Sequence, residues 1–523
     1  MTKTYNNYED LITFTRASGG HALRPVSYGS ELIDNGTFDS DSNWLKGTGW
    51  SISGGVAVSA GSNNYAGLQQ SPSLVVGKVY SVTFTISSYT SGSVKIGLGE
   101  TVGITYSAEG TYTETFVYTG PHVSGFKFSI FPWGDFVGSI DNVSVKEVTF
   151  DQPDGTLTLF EHPTNIPRVE YDADGNRLGL LVEEARTNLD TASDFFAGGG
   201  GVTAVKNYTA PDKTLSASTI SYSGGLTPYL NTTNIAFTSG TTYTFSFFFK
   251  RGTGTQNVQT LLYGSAFNSG GANCVVVYDL DAETTTVASG TFTAHSVENI
   301  GNGWYRCSCS STATASVSQN QQIYRASTAD DGNYDYIWGK QVEAGAFPTS
   351  YIKSNSGSTT TRSAEVASIP VADFGYNTSN VGTLFCHISG MSYEDGGTGY
   401  PVVLRFDNAS NANDRRGFFV SEGSNLLRSE VISNSVGQAG LTVATGSGGS
   451  LGEVKMVLAM AENDFAVSSN GGTVSTDTSG TVASNLPIAT LGTAVGDRLN
   501  GHIKSIKYYP RRLTNAQLQD ITS

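Results

Sequence analysis

Tyr80-Ser-Val-Thr-Phe-Thr-Ile86 and Tyr243-Thr-Phe-Ser-Phe-Phe-Phe-Lys250 are two versions of one strand. Each opens on tyrosine. Val82, Phe84 and Ile86 alternate with Ser81, Thr83 and Thr85, and Phe245, Phe247 and Phe249 alternate with Thr244, Ser246 and Phe248. A period of two sends one set to a core and the other toward solvent, which is the pattern of a β-strand with one buried face. Around the first copy, further alternating runs lie at 93–98, 111–118 and 125–130, separated by Gly, Pro and Ser. That spacing predicts a β-sandwich. Two matching strands in one chain predict two such modules.

The composition agrees. At roughly 100–200 residues per domain, 523 residues make three or four domains. Charged residues are 14% of the chain, against about 25% in ordinary globular proteins. Glycine, at 62 residues, is nearly twice its usual share of about 7%. With 26 Tyr and 26 Phe, this is the vocabulary of short strands and tight turns. The expected fold class is all-β: a multidomain β-sandwich protein. A net charge of −15 disfavours nucleic acid as a partner, because that affinity comes from Lys and Arg on phosphates. No apolar run reaches the 18 or so residues of a membrane helix, and no secretory pattern follows Met1, so assembly in a cytoplasm without membrane insertion is expected. Cys274, Cys307, Cys309 and Cys386 lack metal-ligand spacing and read as buried thiols.

The first module spans 31–148. It opens Glu31-Leu-Ile-Asp-Asn-Gly-Thr-Phe38 and closes Gly138-Ser-Ile-Asp-Asn-Val-Ser-Val-Lys-Glu-Val148. With Trp44, Trp50 and Leu68-Gln-Gln70, these ends resemble jelly-roll carbohydrate-binding modules related to galactose-binding domains. The second jelly roll spans 190–355. Its ending, Tyr336-Ile-Trp-Gly-Lys-Gln-Val-Glu-Ala-Gly-Ala-Phe-Pro-Thr-Ser-Tyr351, resembles one common in phage tail proteins. A polar linker covers 356–365. Residues 366–523 read as many short strands and resemble a concanavalin A-like or laminin-G-like domain in their ending, Leu499 to Leu518. Thr514 and Gln517 fit a capping box, predicting a helix over 515–521.

Leu11-Ile-Thr-Phe-Thr-Arg-Ala-Ser18 stands apart from Ile166-Pro-Arg-Val-Glu-Tyr-Asp172 and Gly179-Leu-Leu-Val-Glu-Glu-Ala-Arg-Thr-Asn-Leu189. Together they resemble a signature of bacteriophage virion proteins, with the first module inserted between its halves. Residues 1–30 and 149–189 are therefore expected to form one split attachment unit. Asp174-Gly175 predicts a hairpin between 168–171 and 178–183. Glu183, Glu184 and Arg186 are read as solvated charges, or as pairs across protomers.

Catalysis finds little support. Gly448-Gly-Ser-Leu-Gly452 matches a nucleophile-elbow pattern, with Asp464, Asp497 and His502 downstream, but it sits in a Gly/Ser loop of an all-β region. Glu462 and Asp464 would share a face on a strand, yet no third carboxylate follows. Binding is the better reading. Sugar C–H faces dock on aromatic rings, which makes Trp133, Trp44, Trp50 and Tyr65 the candidates. Trp133 leads, because Phe131-Pro-Trp-Gly-Asp135 looks like a loop between strands. The module resemblance implies a structural Ca²⁺ held by Asp141, with backbone oxygens of Asn35 or Thr37; no other cofactor is expected.

These features point to a phage virion structural protein, of the tail fibre or baseplate, that contacts host cell-surface glycans and catalyses nothing. Its partners would be other virion proteins, and the fibre resemblance implies a homo-oligomer, a trimer. A capsid-attached head fibre or decoration protein is the alternative. A bacterial glycan-binding or glycosidase-accessory protein is a third reading.

Overall fold

The computed structural model describes residues 12–61, 67–223, 227–254, 257–325, 332–354, 357–374, 380–393, 400–408, 411–421, 424–446, 450–483, 486–492 and 500–523. The fold is all-β, with antiparallel pairing throughout and a short helix at Asn515–Thr522. The chain divides into two compact units. One comprises Arg24–Pro163 with Asp212–Leu215, and the other holds the rest.

The first unit is built on one long ribbon. Val79–Leu98 pairs with Phe128–Phe150, with 79–87 against 139–148 and 93–98 against 128–133. Gly110–Val117 extends one arm and Leu68–Gln70 the other. Inward residues of both arms, among them Phe84, Ile86, Ile96 and Ile130, share a single core, so the ribbon closes on itself as a jelly roll. The module's sheet also takes in Gly20–Tyr28 and Thr156–His162. Arg24 joins these flanks with a two-point bond to Asp151 at 2.8 Å.

The second jelly roll repeats the first bond for bond. Tyr80 accepts from the Val75 N–H at 2.9 Å, and Tyr243 accepts from the Thr238 N–H at 2.9 Å. Gly77 N–H donates to Tyr118 O as Gly240 N–H donates to Ala313 O. The pairing skips at the same place in both. Thr83 faces Ser144 and Thr85 faces Asp141; Ser246 faces Gln341 and Phe248 faces Trp338. The extra residues form a β-bulge whose left-handed position is Asn142 (φ 52°) in one module and Gly339 (φ 62°) in the other. Opposite the bulge, the opening segment clasps the closing strand. Glu31 Oε1 accepts from Val145 and Ile33 N–H, and Asn188 Oδ1 accepts from Val342 and Asp190 N–H. Cys274, Cys307 and Cys309 are buried in the second core. Burial pushes the Cys309 thiol up to about 12.

In the C-terminal sandwich, two eight-stranded sheets of the described residues enclose one core. The split signature has no core of its own. Thr13–Thr15 pairs with Val366–Pro370 in one sheet. The hairpin Arg168–Tyr171 and Arg177–Val182 joins the other through Asn500–Tyr509. Phe14, Leu180 and Val182 enter the same core as Leu384 and Phe406. The described strands of the signature thus belong to the two sheets of the sandwich. The hairpin turns where expected: Gly175 takes φ 80°, and Asp172 Oδ1 accepts from Asp174 and Asn176 N–H. The helix is closed by the expected capping box, Gln517 N–H to Thr514 Oγ1 and Thr514 N–H to Gln517 Oε1.

Arg16, Arg168, Glu183 and Arg186 of the signature are not solvated, while Glu184 is half-buried. Arg16, Arg168, Glu183, Arg362 and Glu365 are all buried. Glu365 Oε1 accepts from Arg16 at 2.8 Å and Arg168 at 2.7 Å, and its Oε2 accepts from the Glu183 N–H at 2.9 Å. Glu183 accepts from Arg168 at 2.6 Å and from both the N–H and hydroxyl of Ser350, and Arg362 stands 3.5 Å away. Arg168 also donates to His21 O at 2.6 Å. Arg186 pairs with Glu184 and donates to Ala344 O. Burial alone would push both Glu183 and Glu365 up, but the surrounding guanidiniums hold them below the usual carboxylate range. These residues tie the N-terminal strand, the hairpin, the end of the second jelly roll and the linker into one buried knot.

Candidate functional site

The ribbon of the first module bends where its register breaks. Trp133 faces Ser93, the next pair is Val137 with Ser91, and residues 134–136 bulge out. Gly134 and Asp135 take φ of 74° and 49°. Gly92 is tightly opposed: an added Cβ would meet Gly134 O at 2.4 Å, so only glycine fits. The bulge turns Phe136 inward, where it stacks on Trp50 at 6.1 Å, and turns Trp133 outward.

Trp133 is 38% exposed, while Trp44 and Trp50 are each 7% exposed and Trp304 and Trp338 are buried more deeply still. Four of the five tryptophans are therefore core. Trp44 packs between Phe38 and Phe128 and donates its indole N–H to Asn35 O at 2.9 Å. Trp44 and Trp50 cannot offer a ring face to a sugar, which corrects their place among the candidates. Tyr65 lies outside the described residues.

Trp133 keeps polar company. Lys95 Nζ stands 4.2 Å from its ring centre, a cation–π distance. Ser93 donates to Trp133 O at 2.5 Å, and exposed Asp135 follows two residues on. Tyr89, from the facing arm, donates its hydroxyl to Gly92 O and its N–H to exposed Glu109. An open ring with a cation against it can stack a sugar face and bond its hydroxyls. The sequence identified Trp133 but took its surroundings for a loop; the residue lies on a bulged strand. Lys95 was missed, though Gly92 and Gly134 both signal a bend.

Two of the three residues implied for calcium have their oxygens engaged locally. Asn35 Oδ1 accepts from Ser40 N–H, and its carbonyl is taken by Trp44 and Phe38. Thr37 donates to Asp39. Asp141 lies at the start of the β-bulge, and its carboxylate accepts from the N–H and amide of Asn142. The Asn35 carbonyl and the Asp141 carboxylate thus close their own turns. Among the described residues no three Asp, Glu, His or Cys side chains converge on a metal-sized space.

The catalytic candidates are also dispersed. Glu462 and Asp464 flank the turn at Asn463 (φ 56°) rather than sharing a strand face, and Asp464 pairs with Arg512 at 2.8 Å. His502 is bound to Glu170 at 2.6 Å. Ser450 lies on a two-residue strand against Ser392; residues 448, 449 and Asp497 lie outside the described residues. A cavity of about 10 Å³ lies between the sheets of the second jelly roll, lined by Thr232, Gln321, Lys340 and others. It has room for about one water.

No protein-family model matches the chain, and no curated protein does. Among solved structures, it is similar to the N-terminal CBM22-1–CBM22-2 tandem domain of Paenibacillus barcinonensis Xyn10C, at 10% identity, covering 62% of this chain and 99% of that one, with a TM-score of 0.20. Trypanosoma rangeli sialidase in complex with the inhibitor DANA matches at 10% identity over 96% of this chain and 94% of its own, with a TM-score of 0.24. The LG1–3 region of the laminin α2 chain matches at 10% identity over 87% and 98%, with a TM-score of 0.18. TM-scores of this size do not describe a shared arrangement, and none of the three is a virion protein.

Proposed function

We propose that this protein is a non-catalytic structural component of a phage particle that holds host cell-surface glycans on its jelly-roll modules. The observation that carries the binding half is Trp133, the one tryptophan turned outward, with Lys95 against its ring. The virion half rests on the split signature, a resemblance of sequence. The buried knot gives that signature a physical role: it ties the N-terminal strand and the hairpin to the end of the second jelly roll and the segment that leads into the C-terminal sandwich. Tail fibre or baseplate is the favoured position, with other virion proteins and further copies of this chain, as a trimer, for partners.

Replacing Trp133 by Ala tests the binding half. An exposed ring leaves the melting temperature within about 1–2 °C, because little packing is lost. Adsorption of the purified protein to host cells should fall severalfold. Unchanged adsorption with an unchanged melt would remove this site from the account.

A further inference from the structure

The outer face of one sheet in the second jelly roll carries a second aromatic surface. Tyr334, Tyr336 and Trp338 alternate along Tyr334–Ala344 and leave one face, while Ile337 points to the core. The Trp338 end is closed, with Phe248 and Tyr351 packed against the indole. The other end is open, and Tyr334 is 37% exposed. Tyr208 reaches from the edge strand Val202–Tyr208, across the intervening Ala217–Tyr222, and lays its ring on Tyr336 at 3.6 Å and 18°. Tyr334 meets Tyr336 edge-on at 5.6 Å.

Lys250 stands beside this cluster, paired across the sheet with Tyr336 on one side and Trp304 on the other. Its stem lies over Gly303, where an added Cβ would come within 3.4 Å of Cε. Its ammonium donates to Asn302 O at 2.8 Å and sits 5.6 Å from the Tyr208 ring centre. Among the described residues no carboxylate lies within ion-pair distance of it. A positioned lysine without an acidic partner among the described residues is complementary to an anion.

We propose that this face binds an acidic sugar chain: the tyrosine rings take the C–H face of a sugar, and Lys250 pairs with the carboxylate it carries. The inference deepens the glycan-binding reading but stands on another module, other residues and a charge requirement that Trp133 does not impose.

The test uses the full chain carrying Trp133→Ala, so that the first site cannot contribute. Its probes are immobilised oligosaccharides ending in glucuronate, galacturonate or sialate, each beside its neutral counterpart, with polyglutamate as an anion without sugar. Binding to at least one acidic sugar over its neutral counterpart is expected. Lys250→Gln and Tyr334→Ala should each weaken it about tenfold, the loss of one charge-assisted bond or one ring contact. Both variants should melt as the parent does, since both side chains are partly exposed. No binding to any acidic sugar, equal binding to polyglutamate, or full binding by Lys250→Gln overturns the proposal. If instead the parent with Trp133 intact binds only neutral sugars, the first site stands and this one falls.

Discussion

Replacing Glu365 by Ala should strike the scaffold at its hardest point. Its carboxylate accepts from Arg16 at 2.8 Å, Arg168 at 2.7 Å and the Glu183 N–H at 2.9 Å, all out of water. Removing one partner of a buried pair costs about 3–5 kcal/mol, because the other charge is left uncompensated. Here two guanidiniums lose the same partner, so the upper end, about 5 kcal/mol, applies. At roughly 2–4 °C per kcal/mol for a domain of this class, the melting temperature of the sandwich falls by on the order of 10 °C or more. Scanning calorimetry reads this directly, and the transition of the first unit should not move. The pH dependence follows with a definite sign. The folded carboxyls of Glu183 and Glu365 are held below their ordinary value of 4.5 by the surrounding arginines, against the opposing push of burial. Their stabilisation is complete above that value and is lost as pH falls below it. Wild type should therefore lose stability in acid, and the variant should lose less. A melt within 2 °C of wild type at pH 7 would refute the knot as the element that fastens the scaffold.

Two further outcomes are expected. Burial pushes the Glu114 carboxyl up to about 7. The folded form then binds its proton more tightly than the unfolded chain, so the first unit loses stability as pH rises from about 4.5 to about 7; Glu114→Gln should melt higher than wild type at pH 8 and alike at pH 4, and equal melts at pH 8 would contradict this. Replacing residues 24–163 by a short Gly/Ser linker should leave a soluble protein with a cooperative melt, because Arg16 and Asn165 hydrogen-bond each other through backbone and side chain at 3.0–3.1 Å and bring the two ends of the remaining chain together; an insoluble product would show that the second unit depends on the first.

Local chemistry made much of the fold legible. Asp174-Gly175 announces its hairpin, Thr514 and Gln517 announce their cap, and the alternation after Tyr80 and Tyr243 announces two jelly rolls. What stayed hidden is set by partners distant in sequence. Arg16 and Glu365 are 349 residues apart, and neither has a local pattern that marks it as buried. Glu183 looked like a surface charge because burying a carboxylate is costly, and the guanidiniums and Ser350 that offset that cost are distant in sequence. The clasp of the jelly rolls was masked by chemistry that changes while geometry does not: Glu31 and Asn188 are different residue types accepting from equivalent N–H groups. At the candidate site, composition could not tell Trp133 from Trp44. The difference is a three-residue bulge that turns Phe136 in and Trp133 out.

Binding without cleavage and hydrolysis are separated by one incubation. Host-surface polysaccharide is mixed with the purified protein, retained complex is measured, and the chain length of the polysaccharide is followed over long incubation. The account predicts retention, reduced by Trp133→Ala, with chain length unchanged. Absence of retention, or release of reducing ends that Glu462→Gln or Ser450→Ala abolishes, would contradict it.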